Sequence, residues 1–117
     1  MKTFKNQAAQ GDIMLMRVDK LPKDVTKTNA KNGRYVVAHS ETGHDHVIQE
    51  RPNVILYETS NPMISYLQVI EATDKMETLL EHLRNFSTHE TLRIEPGIYQ
   101  IRRQREARPK GWQMVND

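Results

Sequence analysis

Short apolar runs, separated at regular intervals by turn-forming residues, are the feature of this 117-residue chain that most constrains its fold. Ile13–Val18 follows a Gly-Asp turn, and Arg34–Ala38 follows Asn32-Gly33, which is the strongest hairpin signal in the chain. Later apolar runs resume after proline-containing turns. Strands this short and this regularly spaced predict a mainly β, single-domain protein, built as a small β-barrel or β-sandwich.

One segment departs from this pattern. Asp74 and Glu77 have the spacing of a helix capping box, and apolar residues then recur at intervals typical of one helix face. We therefore expect one short amphipathic helix over about residues 74–86, with His82 beside its apolar stripe. A histidine in that position is more often a boundary residue than a ligand.

Composition narrows the class of protein. The chain is 37% hydrophobic and 27% charged, which is ordinary for a soluble globular protein. No apolar run approaches the ~18 residues of a membrane span, and the first residues lack a secretory hydrophobic region, so we expect a cytoplasmic protein. Because there is no cysteine, disulfides and thiolate nucleophiles are excluded. Any transition-metal site must use His, Asp and Glu.

The sequence Thr-Gly-His-Asp-His at residues 42–46 carries the strongest chemical signal. Side chains at positions i and i+2 of a strand leave the same face about 7 Å apart, so His44 and His46 can bind one ion. His89, from a distant segment, is the expected third ligand. The predicted cofactor is a divalent transition metal, with zinc as the first candidate. The alternative is a pair of solvated histidines on an exposed strand.

The net charge of +2 is small, but cations crowd near the C-terminus, where we expect a basic tail from about residue 105. The cluster comprises Arg102, Arg103, Arg105, Arg108 and Lys110. Such a patch favours phosphate, with Tyr99 or Trp112 able to stack on a base. The alternative is a solvated strand end that serves solubility.

Several of these features recur together in a family of small, uncharacterised bacterial and phage proteins, which the chain resembles over nearly its whole length. The shared pattern is Gly-His-x-His, a downstream histidine, Pro-Gly-x-Tyr and Gln-Arg-Glu. The resemblance implies one constellation, formed by His44, His46, His89, Gly97, Tyr99, Gln104, Arg105 and Glu106. Gln104 thereby joins the predicted anion-binding residues. Ala107 stands where an aromatic residue is common, and the family brings no established activity.

The chain also resembles the cupins, whose His-x-His-x-x-x-Glu motif matches the spacing of His44, His46 and Glu50. In cupins a Pro-x-Gly precedes the fourth ligand, whereas here His89 precedes the Pro-Gly turn. The resemblance therefore implies a metal on a β-scaffold without implying cupin topology or chemistry.

Two classes of function follow, and both allow a homo-oligomer. In the first, the chain is a small metal-binding β-protein, in which Glu50 or Glu106 is the general base for a metal-bound water. The adjacent arginines then hold a small anionic ligand, such as a phosphorylated compound or a nucleotide. In the second, the chain is a non-catalytic binding module of the phage accessory or anti-defence type. Its ligand is then a nucleotide, a nucleic acid or a host protein.

Overall fold

The computed structural model describes residues 1–39, 45–74, 76–83 and 90–103. These ranges contain eleven strands and no helix that is long and apolar enough to cross a membrane. The strands are β1 (Lys2–Thr3), β2 (Gln7–Gln10), β3 (Ile13–Val18), β4 (Thr26–Lys27), β5 (Arg34–Ala38), β6 (His46–Gln49), β7 (Val54–Glu58), β8 (Ile64–Val69), β9 (Thr78–His82), β10 (Leu92–Ile94) and β11 (Gly97–Arg103).

The described strands form two sheets. Sheet I has the order β1-β10-β9-β6-β5, and sheet II has the order β2-β3-β11-β8-β7-β4. Neighbouring strands are antiparallel except β1 and β10, which are parallel. Each sheet has two distinct edge strands, so the architecture is a sandwich and not a closed barrel.

The two sheets share one apolar core. Buried and half-buried residues alternate along strands such as β3 and β8, so each strand gives one face to the interior. The core consists of Phe4, Ala8, Ile13, Leu15, Tyr35, Val37, Ile48, Val54, Leu56, Leu67, Val69, Leu80, Leu92, Ile94, Tyr99 and Ile101. The prediction of a mainly β protein is confirmed.

The prediction of a helix over residues 74–86 is wrong, because the described part of that segment contains strand β9. This strand pairs with β6 on one side and with β10 on the other. Thr78 and Leu80 are buried and Leu79 between them is half-buried, which is a period of two and not of 3.6. Pairing with two neighbouring strands satisfies the backbone and buries Leu80, and this outweighs the local helical spacing.

Asp74, the residue that signalled a helix start, lies in the segment before β9. Its Oδ1 atom accepts a hydrogen bond from the Met76 backbone N–H at 3.0 Å. Arg51 Nη2 lies 2.8 Å from both carboxylate oxygens. The Met76 hydrogen bond, followed by that from Arg51, holds the pKa of Asp74 below its ordinary value. The same side-chain chemistry that caps a helix here closes an Asx turn.

Candidate functional site

A cleft of about 410 Å³ opens between the two sheets at one end of the sandwich. Its lining residues are Asp12, Ile13, Val36, Val37, Ala38, His39, His46, Glu58, Pro62 and Arg103. They come from the starts of β3 and β6, the ends of β5, β7 and β11, and the adjoining turns. A cleft of this volume is in the range of small-molecule sites. We call it the His46 cleft.

A β-bulge shapes this end of sheet I. The register between β5 and β6 shifts between Val36 and Ala38, and Ala38 is the cross-strand partner of His46. A bulge bends its strand and re-aims backbone groups, which explains how the Val37 carbonyl becomes available to a side chain of the other sheet. Arg103 Nε donates to that carbonyl at 2.7 Å.

A buried hydrogen-bond network fixes the imidazole of His46, which is 5% exposed. Its Nδ1 atom lies 2.8 Å from Gln10 Oε1. Gln10 Nε2 donates to the carbonyls of Leu80 and Glu90, both at 2.9 Å, so the amide oxygen must face the imidazole. Nδ1 is therefore the protonated nitrogen, and Nε2 carries the lone pair in neutral His46. This is the tautomer of a histidine that binds a metal ion through Nε2.

His82 stacks on His46 from the neighbouring strand. The two residues are cross-strand partners, and their rings lie 4.2 Å apart between centroids with planes 2° from parallel. A metal ion lies in the plane of the imidazole that binds it, and two parallel planes cannot both contain the same ion. In this arrangement His82 therefore supports the orientation of the His46 ring and does not share an ion with it.

Arg103 joins the two sheets at the cleft. Its Nε donates to the Val37 carbonyl of sheet I, Nη1 donates to the Pro62 carbonyl at 3.1 Å, and Nη2 donates to Ser65 Oγ of sheet II at 2.9 Å. These bonds use three of the five N–H groups of the guanidinium, and the other two meet no acceptor within the described residues. Burial lowers the pKa of Arg103, and the Glu58 carboxylate opposes that shift. The side chain remains charged at neutral pH.

Carboxylates also line the His46 cleft. Asp12 and Glu58 contribute to its wall. At the rim, the Nδ1 atom of His39 lies 3.2 Å from an oxygen of Asp45, and His39 is largely exposed. The cleft thus carries charges of both signs, which suits a ligand that combines a cation with an anion.

Glu50 is not part of this cleft. It follows β6 at the end opposite His46 and is exposed, and its backbone N–H donates to the Gly33 carbonyl at 2.8 Å. Four residues of strand put it about 13 Å along the chain from His46. The structure therefore does not bring together His46 and Glu50, two members of the cupin-like set, and it keeps Glu50, one of the two predicted general bases, away from the cleft.

Tyr99 lies in the core, with 0% of its surface exposed. Its hydroxyl donates to the Glu95 carbonyl at 2.6 Å and accepts from Arg17 Nη2 at 2.8 Å, and its ring packs edge-on against Phe4. Burial raises the pKa of Tyr99, Arg17 lowers it, and Glu95 raises it. The described structure thus gives Tyr99 no exposed ring face for stacking on a base, and its predicted role in ligand binding stays a prediction.

The predicted arginine cluster is divided between two surfaces. Arg103 reaches the His46 cleft, whereas the exposed Arg102 donates from Nε to Gln100 Oε1 at 2.7 Å on the other face of β11. Successive residues of a strand point to opposite faces, so these two neighbours cannot serve one anion site.

The remaining predicted site residues, which are His44, His89, Gln104, Arg105 and Glu106, lie outside the described residues. Within the part of the chain that is described, no group of three His, Asp or Glu side chains is arranged to hold a metal ion. The structure therefore positions His46 alone among the three predicted metal ligands, and the three-histidine site stays a prediction.

Two residues of the site were not expected from the sequence. Gln10 holds His46 across 36 positions of the chain, and Glu58 brings a carboxylate to the cleft. Gln10 could have been found, because in β2 it shares the inward face with Ala8. A polar residue at such a core position needs hydrogen-bond partners. Glu58 ends an apolar strand and gave no comparable signal.

A β-sandwich with a histidine- and arginine-lined cleft between its sheets is thus the class that the fold and the site define. The chain belongs to the family described as a domain of unknown function, DUF8820, which it matches over residues 9–104. The matched range includes the histidine motif and His89 and ends before Arg105. No curated protein and no solved structure matches the chain. Membership in an uncharacterised domain family is thus confirmed, while the shared residue pattern stays a prediction.

Proposed function

We propose that the protein binds a divalent transition metal ion, with zinc as the first candidate, through His46, His44 and His89. The observation that carries this proposal is the fixed tautomer of His46, whose Nδ1 proton is held by Gln10 Oε1 at 2.8 Å. Metal-binding histidines nearly always have their second ring nitrogen held in this way, because the hydrogen bond orients the ring and makes it more basic. The proposal includes a cytoplasmic location, in keeping with a chain without cysteine.

Chain connectivity supports His44 as the partner ligand. Two peptide units separate it from His46, so the two Cα atoms are at most about 7.6 Å apart. Imidazole side chains on Cα atoms at this separation can reach a common ion at about 2.0–2.1 Å from each nitrogen.

We further propose that the His46 cleft holds a small anionic ligand, such as a phosphorylated compound or a nucleotide, beside Arg103. The two N–H groups of Arg103 that are not used within the described residues are suited to phosphate oxygens. Asp12 and Glu58 line the same cleft and would repel a bare phosphate. A divalent ion offsets that repulsion, so the metal and the anion should bind together.

A second candidate is a non-catalytic binding module that uses the same cleft without turnover. The position of Glu50 favours it, because this residue, one of the two predicted general bases, lies about 13 Å along the strand from His46 and does not line the cleft. In the described part of the cleft, Asp12 and Glu58 are the carboxylates that hydrolysis could use as a base. If Glu58→Gln removes a hydrolytic activity and still binds the anionic ligand, the result would favour an enzyme over a binding module.

Calorimetric titration with zinc tests the metal site. The wild-type chain should bind one ion, and His46→Gln should weaken binding at least about tenfold more than His82→Gln, its stacked neighbour. The matched pair separates loss of a ligand from loss of ring packing. No binding by the wild type, or equal binding by both variants, would contradict the proposal.

Titration with pyrophosphate, with and without zinc, tests the anion site. Binding should require zinc, and Arg103→Lys should weaken it because a lysine lacks the planar fork of donors. Arg102→Lys, on the other face of the same strand, is the control. If pyrophosphate binds equally well without any metal, the binding module is the better description.

A further inference from the structure

The outer face of sheet II is a second surface with its own chemistry. We define it as the side chains that alternate with the buried residues of the sheet II strands. Tyr66 is the cross-strand partner of both Gln100 and Tyr57, so these three residues share that face. Tyr57 and Tyr66 are both half-buried, in contrast to Tyr99, which lies within the core.

Hydrogen bonds hold these side chains in a ladder across the strands. Arg102 Nε donates to Gln100 Oε1 at 2.7 Å, and Gln100 Nε2 donates to the Tyr66 hydroxyl at 2.8 Å. The Tyr57 hydroxyl donates to Gln68 Oε1 at 3.2 Å. Each ring is therefore fixed through its phenol oxygen, which lowers the entropy cost of using the rings for binding.

The charged side chains on the strands of this face are all positive. Arg102 lies on it, and Lys27 is exposed beside its cross-strand partner Tyr57. The other described strand positions on this face are Met, Ile, Val, Ala, Gln and the two tyrosines, with no carboxylate among them. Cations, amides and aromatic rings without a competing acid suit a partner that is a polyanion with aromatic groups.

We propose that the outer face of sheet II binds single-stranded nucleic acid. Bases would stack on Tyr57 and Tyr66, and phosphates would contact Arg102 and Lys27. A single strand fits better than a duplex, because the faces of paired bases are hidden within the duplex stack. This site is independent of the His46 cleft, which lies at the end of the sandwich between the sheets.

Fluorescence anisotropy with labelled oligothymidine and oligouridine tests the proposal. Tyr57→Ala and Tyr66→Ala should each weaken binding about fivefold or more, while the matching Phe variants retain it because the ring remains. Arg102→Gln should weaken binding and reduce the slope of log K against log salt by about 0.7. Arg93→Gln, an equal change of charge on sheet I, is the control and should leave binding unchanged.

Three results would overturn this proposal. The first is no binding of either oligomer at about 50 mM salt, where electrostatic binding is strong. The second is an equal loss in Arg93→Gln, which would mean that net charge alone is sensed. The third is a sedimentation result in which the wild type is a dimer and the Tyr57→Ala, Tyr66→Ala double variant is a monomer. This result would assign the face to a second copy of the chain. Thermal melting of each variant verifies that it is folded.

Discussion

At the scale of single residues, the surroundings of Gly97 explain why glycine is required in the Pro-Gly-x-Tyr sequence. Arg17 donates to the Pro96 carbonyl at 3.0 Å and to the Tyr99 hydroxyl at 2.8 Å. A Cβ atom on Gly97 would overlap Nη1 of Arg17. The backbone φ of Gly97 is +154°, which is unfavourable for any residue other than glycine. This part of the family-like pattern therefore fixes the turn before β11 against β3 and is a structural feature.

Gly97→Ala should lower the free energy of unfolding by about 2–4 kcal/mol, because it adds both an overlap and backbone strain. Gly33→Ala is the matched control, since its φ is +78° but nothing lies within 4 Å of the added atom. That variant should cost about 1–2 kcal/mol from strain alone. Urea denaturation measures both values, and equal losses would show that Arg17 simply moves aside.

The Asp74 carboxylate should stabilise the folded protein by an amount that depends on pH. Its pKa is lowered in the folded state, so its contribution is present above the ordinary value of 3.8 and is lost as pH falls through the folded value. Asp74→Asn should therefore make the urea midpoint less sensitive to acid below about pH 4. Asp19→Asn, whose side chain makes no hydrogen bond within the described residues, is the control. An unchanged acid response in Asp74→Asn would contradict the assignment.

At the scale of elements, β9 gives the sharpest test. The strand buries Leu80, and Met76, which precedes the strand, is largely exposed. Leu80→Ala should then cost about 2–5 kcal/mol of stability, and Met76→Ala should stay within about 0.5 kcal/mol. A helix would place both residues on one apolar stripe, so a comparable loss in both variants would contradict the strand.

The strands that could be predicted from the sequence are those marked by residues within the strand and in the turns beside it. β3 and β5 have continuous apolar or β-branched runs with turn residues on both sides, and both were recognised. β9 was not recognised, because its conformation is decided by pairing with β6 and β10, which are distant in sequence.

The candidate site could be predicted only in part for the same reason. His46 was recognised from its motif, but its partner Gln10 comes from the other sheet. The division of Arg102 from Arg103, in contrast, follows from the period of two and was accessible from the sequence. The inward position of Tyr99 also follows from that period, because it shares a face with Ile101.

At the scale of the whole molecule, the two sheets are joined by polar side chains at the cleft. Arg103 spans from Val37 of sheet I to Ser65 of sheet II, and Gln10 of sheet II reaches Leu80 of sheet I. Such contacts are costly to break where the acceptor is shielded from water, as in the buried bond from Gln10 to Leu80 and the part-buried bonds of Arg103 to Val37 and Ser65. The cleft is therefore part of what holds the sandwich together.

Arg103→Met should lower the free energy of unfolding by about 1–3 kcal/mol, because three acceptors lose a charged donor. Arg102→Met, which removes an exposed guanidinium bonded to Gln100 on the outer face, should stay within about 0.5 kcal/mol. Equal losses in urea denaturation would show that Arg103 does not link the sheets.

The most direct test of metal binding at His46 is thermal melting of the zinc-loaded protein with and without a strong chelator. An ion that joins separate segments stabilises by about 2.7 kcal/mol at a hundredfold excess over Kd, so chelation should lower Tm by several degrees. His46→Ala or His44→Ala should abolish the difference, and His39→Ala should preserve it. An identical Tm for the wild type with and without chelator, together with no stoichiometric zinc, would contradict the metal site.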